Sequence, residues 1–382
     1  MSSAPVEESN HERQLKTLSH INKEIMMNLQ RHRPLMLALA MAVALGLGAH
    51  SEQAFSQQPA KVQQTPEQEQ QEFAEQLKKA EAGDAKAQYW VGVLYDDGKG
   101  VAKDEVKAFE WYQKAADQGN AKAQFAVGWK YADGEGVAKD VTKAFECYQK
   151  AANQGHAFAQ WELGSSYAKG IGVARNTSKA VEWLEKAASQ GDAVFQQWLS
   201  MMYELGDGIP EDIAKAIEWE KKAVAQGNAA AQFFHGHRYL LGIGVAKDVV
   251  KAAELIQKSA DQGDAKAQFV LGEMHEKGRG VPKDATKALE WYQKSAVQGN
   301  TRAQASLGAL YTDGTGVTKD PVLAYAWLNL AAARDNKLYI KERAKLEKKL
   351  SKNQLAEAKR LASGWKKGQL LVREGKKSAQ GK

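Results

Sequence analysis

Apolar residues recur with helical spacing along most of this chain, in short segments that end at glycine. The segment that follows Asp84 carries one apolar stripe, at Ala87, Val91, Leu94 and Tyr95. Such spacing predicts an amphipathic helix. A second amphipathic segment follows after a glycine-containing turn, as at 107–116. The pattern therefore predicts helices in pairs.

Each predicted helix starts at a residue whose side chain can cap it. The first helices of the pairs follow Asp84, Asn120, His156, Asp192, Asn228, Asp264 and Asn300, of which only His156 is a poor cap. The second helices follow Asp104, Asp140, Asn176, Asp212, Asp248, Asp284 and Asp320. A Gly-x-Gly turn, such as the one at 98–100, separates the two helices, because glycine adopts the positive φ that ends a helix.

The helix pair repeats every 36 residues, seven times between 84 and 335. A fixed period in the range of roughly 20–50 residues is typical of a solenoid, in which each repeat packs only on its neighbours. The fourth repeat departs from the pattern, with Phe195 in place of a small residue and Ser200 in place of a helix-packing glycine. We expect looser packing there.

The repeated unit resembles the Sel-one-like repeat, which is related to the tetratricopeptide repeat. The resemblance is clearest at 303–317, which reads AQASLGALYTDGTGV, and it covers 84–335. The tetratricopeptide repeat has a period of about 34 residues and lacks the Gly-x-Gly insertion. The resemblance implies an all-α fold, a right-handed α/α superhelical solenoid of helix-turn-helix repeats.

The first 51 residues have the layout of a secretory signal. Arg31 and Arg33 precede an apolar run at 35–48, and small residues follow near Ser51. The run is shorter than the ~18–20 residues that span a bilayer. We predict a signal peptide over 1–51, with Met27 as an alternative start, in a periplasmic or secreted bacterial protein. An inner-membrane anchor formed by an uncleaved signal is the alternative.

Other segments flank the repeats. Residues 52–64 are rich in glutamine and lack an apolar period, which predicts a flexible spacer. Residues 65–83 predict an N-terminal capping helix and 336–365 a C-terminal capping helix, because a solenoid needs polar terminal surfaces. Residues 366–382 predict a basic disordered tail.

Positive charge is concentrated after the repeats. From Asn336 onward there are 15 Lys and Arg residues against 4 Asp and Glu residues, whereas the whole chain has a net charge of +7. The repeats are therefore acidic on balance, which argues against nucleic acid as a partner. A weak contact of the basic tail with an anionic cell envelope is consistent with this distribution.

Few side chains are candidates for chemistry. Cys147, the only cysteine, replaces a tryptophan of other repeats and is expected to be buried. Ser166 and Lys169 spell Ser-x-x-Lys, but the chain lacks the partner motifs of β-lactamases. His235 and His237 point about 200° apart on a helix. We predict no catalytic, cofactor or metal site and no enzyme; a cell-envelope hydrolase acting on peptidoglycan or β-lactam is the alternative.

One face of the first helices carries an aromatic residue in most repeats. The third, sixth and tenth positions of each repeat, counted from the cap, fall on this face. We predict that it forms the concave side of a monomeric solenoid and binds a protein or peptide partner through Tyr89, Phe125, Trp129, Phe158, Trp161, Met201, Phe233, His237 and Phe269. Trp129, Phe158 and Met201 are the best candidates, because other repeats carry polar residues there. Packing between first helices is the alternative.

The predicted signal can be tested on the protein isolated from its native cells. Cleavage near Ser51 should yield a chain that lacks the apolar run at 35–48, because signal peptidase removes this segment after export. N-terminal sequencing and an intact mass measure this directly. A cytosolic chain that retains the run would contradict the prediction.

Overall fold

The computed structural model describes residues 65–333 and 336–373. The predicted signal peptide, the predicted spacer and residues 374–382 of the predicted tail lie outside this part of the chain. Within it, the regular structure consists of seventeen helices without a strand, and consecutive helices pack in pairs. The predicted all-α fold of repeated helix pairs is confirmed.

In chain order, one helix precedes the repeats, two helices lie in each of the seven repeats, and two helices follow them. Their bounds are α1 Pro66–Glu81, α2 Ala85–Asp97, α3 Glu105–Asp117, α4 Ala121–Asp133, α5 Val141–Asn153, α6 Ala157–Lys169, α7 Thr177–Ser189, α8 Ala193–Leu205, α9 Ile213–Ala225, α10 Ala229–Leu241, α11 Val249–Asp261, α12 Ala265–Lys277, α13 Ala285–Val297, α14 Thr301–Asp313, α15 Pro321–Ala332, α16 Lys337–Glu347 and α17 Lys352–Ser363. None of these helices is long and apolar enough to cross a membrane. The chain forms two compact units, which divide after Ala223 within α9.

Side chains at the predicted caps hold the first turn of the helices. Asp104 accepts hydrogen bonds from two backbone N–H groups of α3. His156, which we expected to be a poor cap, accepts the N–H of Ala159 on Nδ1 at 3.2 Å. Thr65 and Gln68 form a reciprocal capping box at the start of α1. Because these bonds are local, the helices begin at the positions that the sequence pattern predicts.

Two kinds of glycine bring helices close together. Gly128 in α4 faces the ring of Tyr148 in α5, and a Cβ at this position would lie 2.8 Å from that ring. Gly136 has a φ of 69°, and a Cβ there would overlap the carbonyl oxygen of Glu105 in the preceding repeat. The Gly-x-Gly turn therefore serves the packing between repeats as well as the reversal of the chain.

Glutamine side chains join each repeat to the next. In the first unit, Gln160 of α6 donates to the carbonyl oxygen of Ala152 at the end of α5, at 3.2 Å. Gln190, which follows α7, donates to Oε1 of Gln160 and to the carbonyl oxygen of Gly155, both at 2.8 Å. Gln160 is only 7% exposed and its bond to Ala152 is buried, whereas Gln190 lies at the surface. These bonds fix the positions of α5, α6 and the end of α7.

This glutamine pair, one residue in the first helix and one after the second, recurs in both units. In the first unit, Gln118 donates to Gln88 at 2.7 Å and Gln154 donates to Gln124 at 2.8 Å. In the second unit, Gln262 donates to Gln232 at 2.7 Å and Gln298 donates to Gln268 at 2.9 Å. The pair therefore joins the two helices of one repeat, and its second glutamine also bonds the last residue of the preceding repeat, as Gln154 does at the carbonyl oxygen of Gly119.

Both departures in the fourth repeat are buried. Phe195 is 1% exposed and Ser200 is fully buried. The Ser200 hydroxyl has no hydrogen-bond partner within the described residues, and a buried hydroxyl without a partner costs about 1–3 kcal/mol. Looser packing of this repeat stays a prediction.

The C-terminal end has two helices where the sequence pattern predicts one over 336–365. α16 ends at Glu347, and α17 begins at Lys352. Ser351 and Gln354 form a capping box between them, and this box starts a new helix.

The chain does not leave the protein at 366, where the sequence pattern predicts a disordered tail. Gly368 donates its N–H to the carbonyl oxygen of Val297 at 2.7 Å. Arg373 binds Glu357 at 2.8 Å and Asp320 at 3.1 Å. These charge-assisted bonds hold the segment 366–373 against the second unit. The high lysine content of this segment predicts disorder, so the contact is not evident from the sequence.

Replacing Gln160 by leucine tests the role of the glutamine pair. The variant removes both the donor and the acceptor, so the free energy of local unfolding around α5 to α7 should fall by about 1–3 kcal/mol. Hydrogen exchange of these helices measures the effect. As a control, Gln113→Leu alters a glutamine that bonds Asp117 on the surface, and it should cost less than about 0.5 kcal/mol. Equal exchange in the two variants would show that the pair is not needed.

Candidate functional site

Seven aromatic side chains of the first unit form one continuous cluster, termed the aromatic cluster. Its members are Phe125, Trp129, His156, Phe158, Trp161, Phe195 and Trp198. The ring centroid of Phe158 in α6 lies 6.1 Å from that of Phe125 in α4 and 4.9 Å from that of Phe195 in α8. Trp161 stacks on Phe195 at 5.3 Å, with 16° between the ring planes. The ring centroids of Trp198 and Trp161 lie 5.3 Å apart. The cluster therefore spans the first helices of repeats two to four.

Only part of the aromatic cluster is open to solvent. Phe125, Trp129, Trp161 and Phe195 are buried. Phe158 and Trp198 are half-buried and present ring surface at the outside of the cluster. Because their other faces pack on fixed neighbours, these two rings are held in place before any partner binds.

Four of the predicted binding residues, Phe125, Trp129, Phe158 and Trp161, thus belong to the cluster. Tyr89 lies apart from it, 5.7 Å from Tyr112 between ring centroids. Trp129 is 4% exposed and Met201 1% exposed. Such buried side chains reach a partner only if the helices separate, so Trp129 and Met201 serve packing in this structure. Phe158 is the one of the three best candidates that offers contact surface.

The predicted binding residues of the second unit form two smaller groups. Phe233 of α10 is buried, and the ring of His237 lies 5.9 Å from it. Phe269 of α12 is also buried, and the guanidinium of Arg302 lies over its ring at 4.3 Å. Both phenylalanine rings are covered by residues of their own unit. They therefore offer less open surface than Phe158 and Trp198.

Charged residues border the aromatic face. Lys86 of α2 and Lys122 of α4 are exposed at the third position of their repeats. On the second helices, by contrast, lysines cover tryptophans: Lys186 lies 4.2 Å from the ring centroid of Trp183. A cation over a ring in this way is an attractive contact within the protein, and it leaves that ring less available to a partner.

His156 connects the cap of α6 to the aromatic cluster. Its ring stacks on Phe125, with centroids 4.9 Å apart. Burial of the ring, and then the positive charge of Lys122, lower the pKa of His156 from 6.5 to about 4. At neutral pH the ring is therefore uncharged. The cap requires this state, because a protonated ring nitrogen cannot accept a hydrogen bond.

Phe195 and Trp198 are absent from the residues that the sequence pattern indicates. The sequence marks Phe195 only as a departure, because other repeats have alanine at that position. In the structure its ring lies between Phe158 and Trp161 and joins them. The high density of aromatic residues between 158 and 198 is the signal that could have indicated this site.

The side chains considered for chemistry lie in packing positions. Cys147 is half-buried, and burial raises its pKa to about 11. The thiol is therefore protonated at neutral pH and is a weak nucleophile. Ser166 is buried within α6, whereas Lys169 is exposed at the end of that helix. His235 is buried and His237 half-buried, and no group of three residues that could hold a metal occurs among the described side chains.

Paired helices with a recurring first-helix face define a helical repeat scaffold. The Sel1 repeat matches seven consecutive segments, residues 85–120, 121–156, 157–192, 193–228, 229–264, 265–300 and 301–336. The chain therefore belongs to the Sel1 repeat family, as the resemblance of its repeats indicated. Proteins of this family are generally non-catalytic scaffolds that mediate protein–protein interactions. No curated protein matches the chain.

Solved structures similar to the chain include a Sel1 repeat protein from Oxalobacter formigenes. It is 29% identical, with a TM-score of 0.61, over 91% of this chain and 97% of that chain. A protective antigen of uropathogenic Escherichia coli strains, which displays an SLR fold, is 31% identical over 81% of this chain and 85% of that one, with a TM-score of 0.38. An immunity protein from Pseudomonas aeruginosa is 22% identical over 56% of this chain and 84% of that one, with a TM-score of 0.33.

The pKa of His156 predicts a pH-dependent cap. Because its pKa in the folded protein lies below the ordinary value of 6.5, the unfolded chain binds the proton more readily between these two values. The stabilisation, about 3 kcal/mol, is therefore complete above pH 6.5 and is lost as the pH falls toward 4.

His156→Asn tests this assignment. Asparagine caps the equivalent helices at Asn120 and Asn300 and does not titrate. Hydrogen exchange of α6, compared between pH 7 and pH 5, should show destabilisation at pH 5 in the wild type and much less in the variant. The same pH dependence in both proteins would assign it to another group.

Proposed function

We propose that this chain is an exported adaptor that binds a protein or peptide partner on the first helices of repeats two to four. The observation that carries the proposal is the pair of half-buried rings, Phe158 and Trp198, on the buried part of the aromatic cluster. The contact surface consists of these two rings.

The packing of the two rings favours binding. Phe158 rests on Phe125 and Phe195, and Trp198 rests on Phe195 and Trp161. A side chain that is already held loses little conformational freedom on binding, so more of the contact energy appears as affinity. Aromatic side chains that become fully desolvated are typical binding hot spots, worth about 2 kcal/mol or more each.

The charge near the cluster indicates the chemistry of the partner. Lys122 lies close enough to His156 to lower its pKa, and His156 stacks within the cluster. A partner segment with an apolar side chain and a neighbouring carboxylate suits this arrangement. The carboxylate would meet the positive charge at the border of the aromatic surface.

The export part of the proposal rests on a signal-like segment of the sequence. Arginines, an apolar run at 35–48 and small residues stand there in the order of a secretory signal. An adaptor with this segment would meet its partner in the bacterial periplasm or outside the cell. An uncleaved signal would instead hold it at the inner membrane.

A pair of variants tests the partner site. A photo-crosslinking residue at Trp198 should first identify the partner in the native envelope, and affinity for the purified partner is then measured. Phe158→Gln with Trp198→Gln should weaken binding by about a hundredfold or more. The control, Trp111→Gln with Trp183→Gln, changes two half-buried rings of the second helices and should leave affinity within about threefold.

Helicity and melting of both double variants show whether each is folded. A folded Phe158/Trp198 variant with unchanged affinity would contradict the proposed site. Equal loss of binding in the control pair would mean that the partner contacts the second helices, or that both variants are damaged in fold.

A further inference from the structure

Helix α16, near the end of the second unit, carries a stripe of lysines on its outer face. Lys337, Lys341, Lys345 and Lys348 are all exposed, and their spacing of four, four and three residues puts them on one side of a helix. The opposite stripe faces inward, with Leu346 only 7% exposed. This helix therefore has an apolar side against the protein and a basic side toward solvent.

The basic character extends over the whole C-terminal cap, defined as residues 336–373. This segment has twelve Lys and Arg residues against three Glu residues, a net charge of +9. Each glutamate is in an ion pair, with Lys345, Lys359 or Arg373. Three of the twelve cations thus pair with the three glutamates, and the other nine account for the net charge of +9.

Exposed apolar side chains occur in the same segment. Leu338 is 60%, Leu370 39% and Val372 59% exposed. Elsewhere in the described chain, the large hydrophobic residues with comparable exposure are Val106, Ile171 and Val250, which are spread over three repeats. The C-terminal cap thus combines dense positive charge with exposed aliphatic groups.

The apolar groups near the end of the cap are held in place. Leu371 is 6% exposed and packs inward, so its neighbours Leu370 and Val372 point to solvent. Arg373 anchors the end of this segment on Glu357 and Asp320. Lys366 and Lys367, both exposed, lie just before it. Leu370 and Val372 are therefore held at the surface before any contact is made.

We infer that the C-terminal cap docks on an anionic phospholipid surface. Lysines near such a surface are attracted to its negative potential, and aliphatic side chains gain by entering the boundary between headgroups and acyl chains. A soluble polyanion would satisfy the lysines but would leave Leu338, Leu370 and Val372 in water. This inference uses only residues of the second unit and does not depend on the proposed adaptor function.

Partitioning of the full chain onto vesicles tests the inference. The readout is the ratio of binding to vesicles of phosphatidylcholine with 30% phosphatidylglycerol, roughly the negative charge of an anionic leaflet, and to vesicles of phosphatidylcholine alone. Because the N-terminal apolar run is common to all variants, the ratio isolates the effect of charge. The wild type should bind the anionic vesicles much more strongly, and added salt should weaken this binding.

Lysine variants locate the charge. Changing Lys337, Lys341 and Lys348 to glutamine should lower the ratio on the order of 100-fold, since each lysine near an anionic surface contributes roughly a fivefold factor. As a control, changing Lys139, Lys247 and Lys283 to glutamine removes the same charge from exposed positions in the repeats. The control should leave the ratio within about twofold.

Apolar variants distinguish a membrane from a soluble polyanion. Leu370→Ser with Val372→Ser should weaken binding to anionic vesicles about tenfold, whereas Val106→Ser with Val250→Ser should not. Equal binding to both kinds of vesicle, or equal effects of the two lysine triples, would overturn the inference. Wild-type binding by the Leu370/Val372 variant, together with displacement by polyphosphate, would assign the surface to a soluble polyanion instead.

Discussion

A pair of hydrogen-bonded glutamine side chains recurs in five of the described repeats, and the same side chains also bond backbone carbonyl oxygens of the preceding repeat, as Gln160 and Gln190 do. Its acceptor, exemplified by Gln160, is buried in the first helix and also bonds the end of the preceding repeat. Because an unpaired amide in this position would be costly, the bonds to the carbonyl oxygens of Ala152 and Gly155 favour one register between neighbouring helix pairs. The glycines that touch the preceding backbone, such as Gly136 against Glu105, impose the same close approach. The positions of the first helices follow from these two constraints.

The aromatic cluster depends on that register. Phe125, Phe158 and Phe195 come from three successive repeats, and their rings meet only because α4, α6 and α8 lie at a fixed spacing. The buried rings complete the packing between the first helices, and the outer rings remain as surface. Packing applies to the buried members of the cluster, and the proposed binding role applies to Phe158 and Trp198.

The helices, their caps and their period could be predicted from the sequence, because these features depend on residues close together in the chain. The contacts that join distant segments could not. The glutamine pair joins residues 30 positions apart, and nothing in the local pattern distinguishes Gln160 from a solvated glutamine. Phe195 departs from the repeat pattern in the sequence, and in the structure its ring contacts both Phe158 and Trp161. Arg373 lies in a lysine-rich segment that reads as disordered, yet it reaches Asp320, 53 positions earlier. Among the three best candidates, Trp129 and Met201 differ from Phe158 in being buried. This difference in burial is not evident from the sequence.

The proposed partner site can be tested by hydrogen exchange of the full chain, alone and in a non-covalent complex with the partner that photo-crosslinking identifies. If the partner lies on the aromatic cluster, protection should increase in α6 and α8, with little change in α5, α7 and the C-terminal cap. This result would localise binding to first helices that the glutamine pairs hold in register. Protection confined to the second helices, or to residues 336–373, would contradict a partner site on the aromatic cluster.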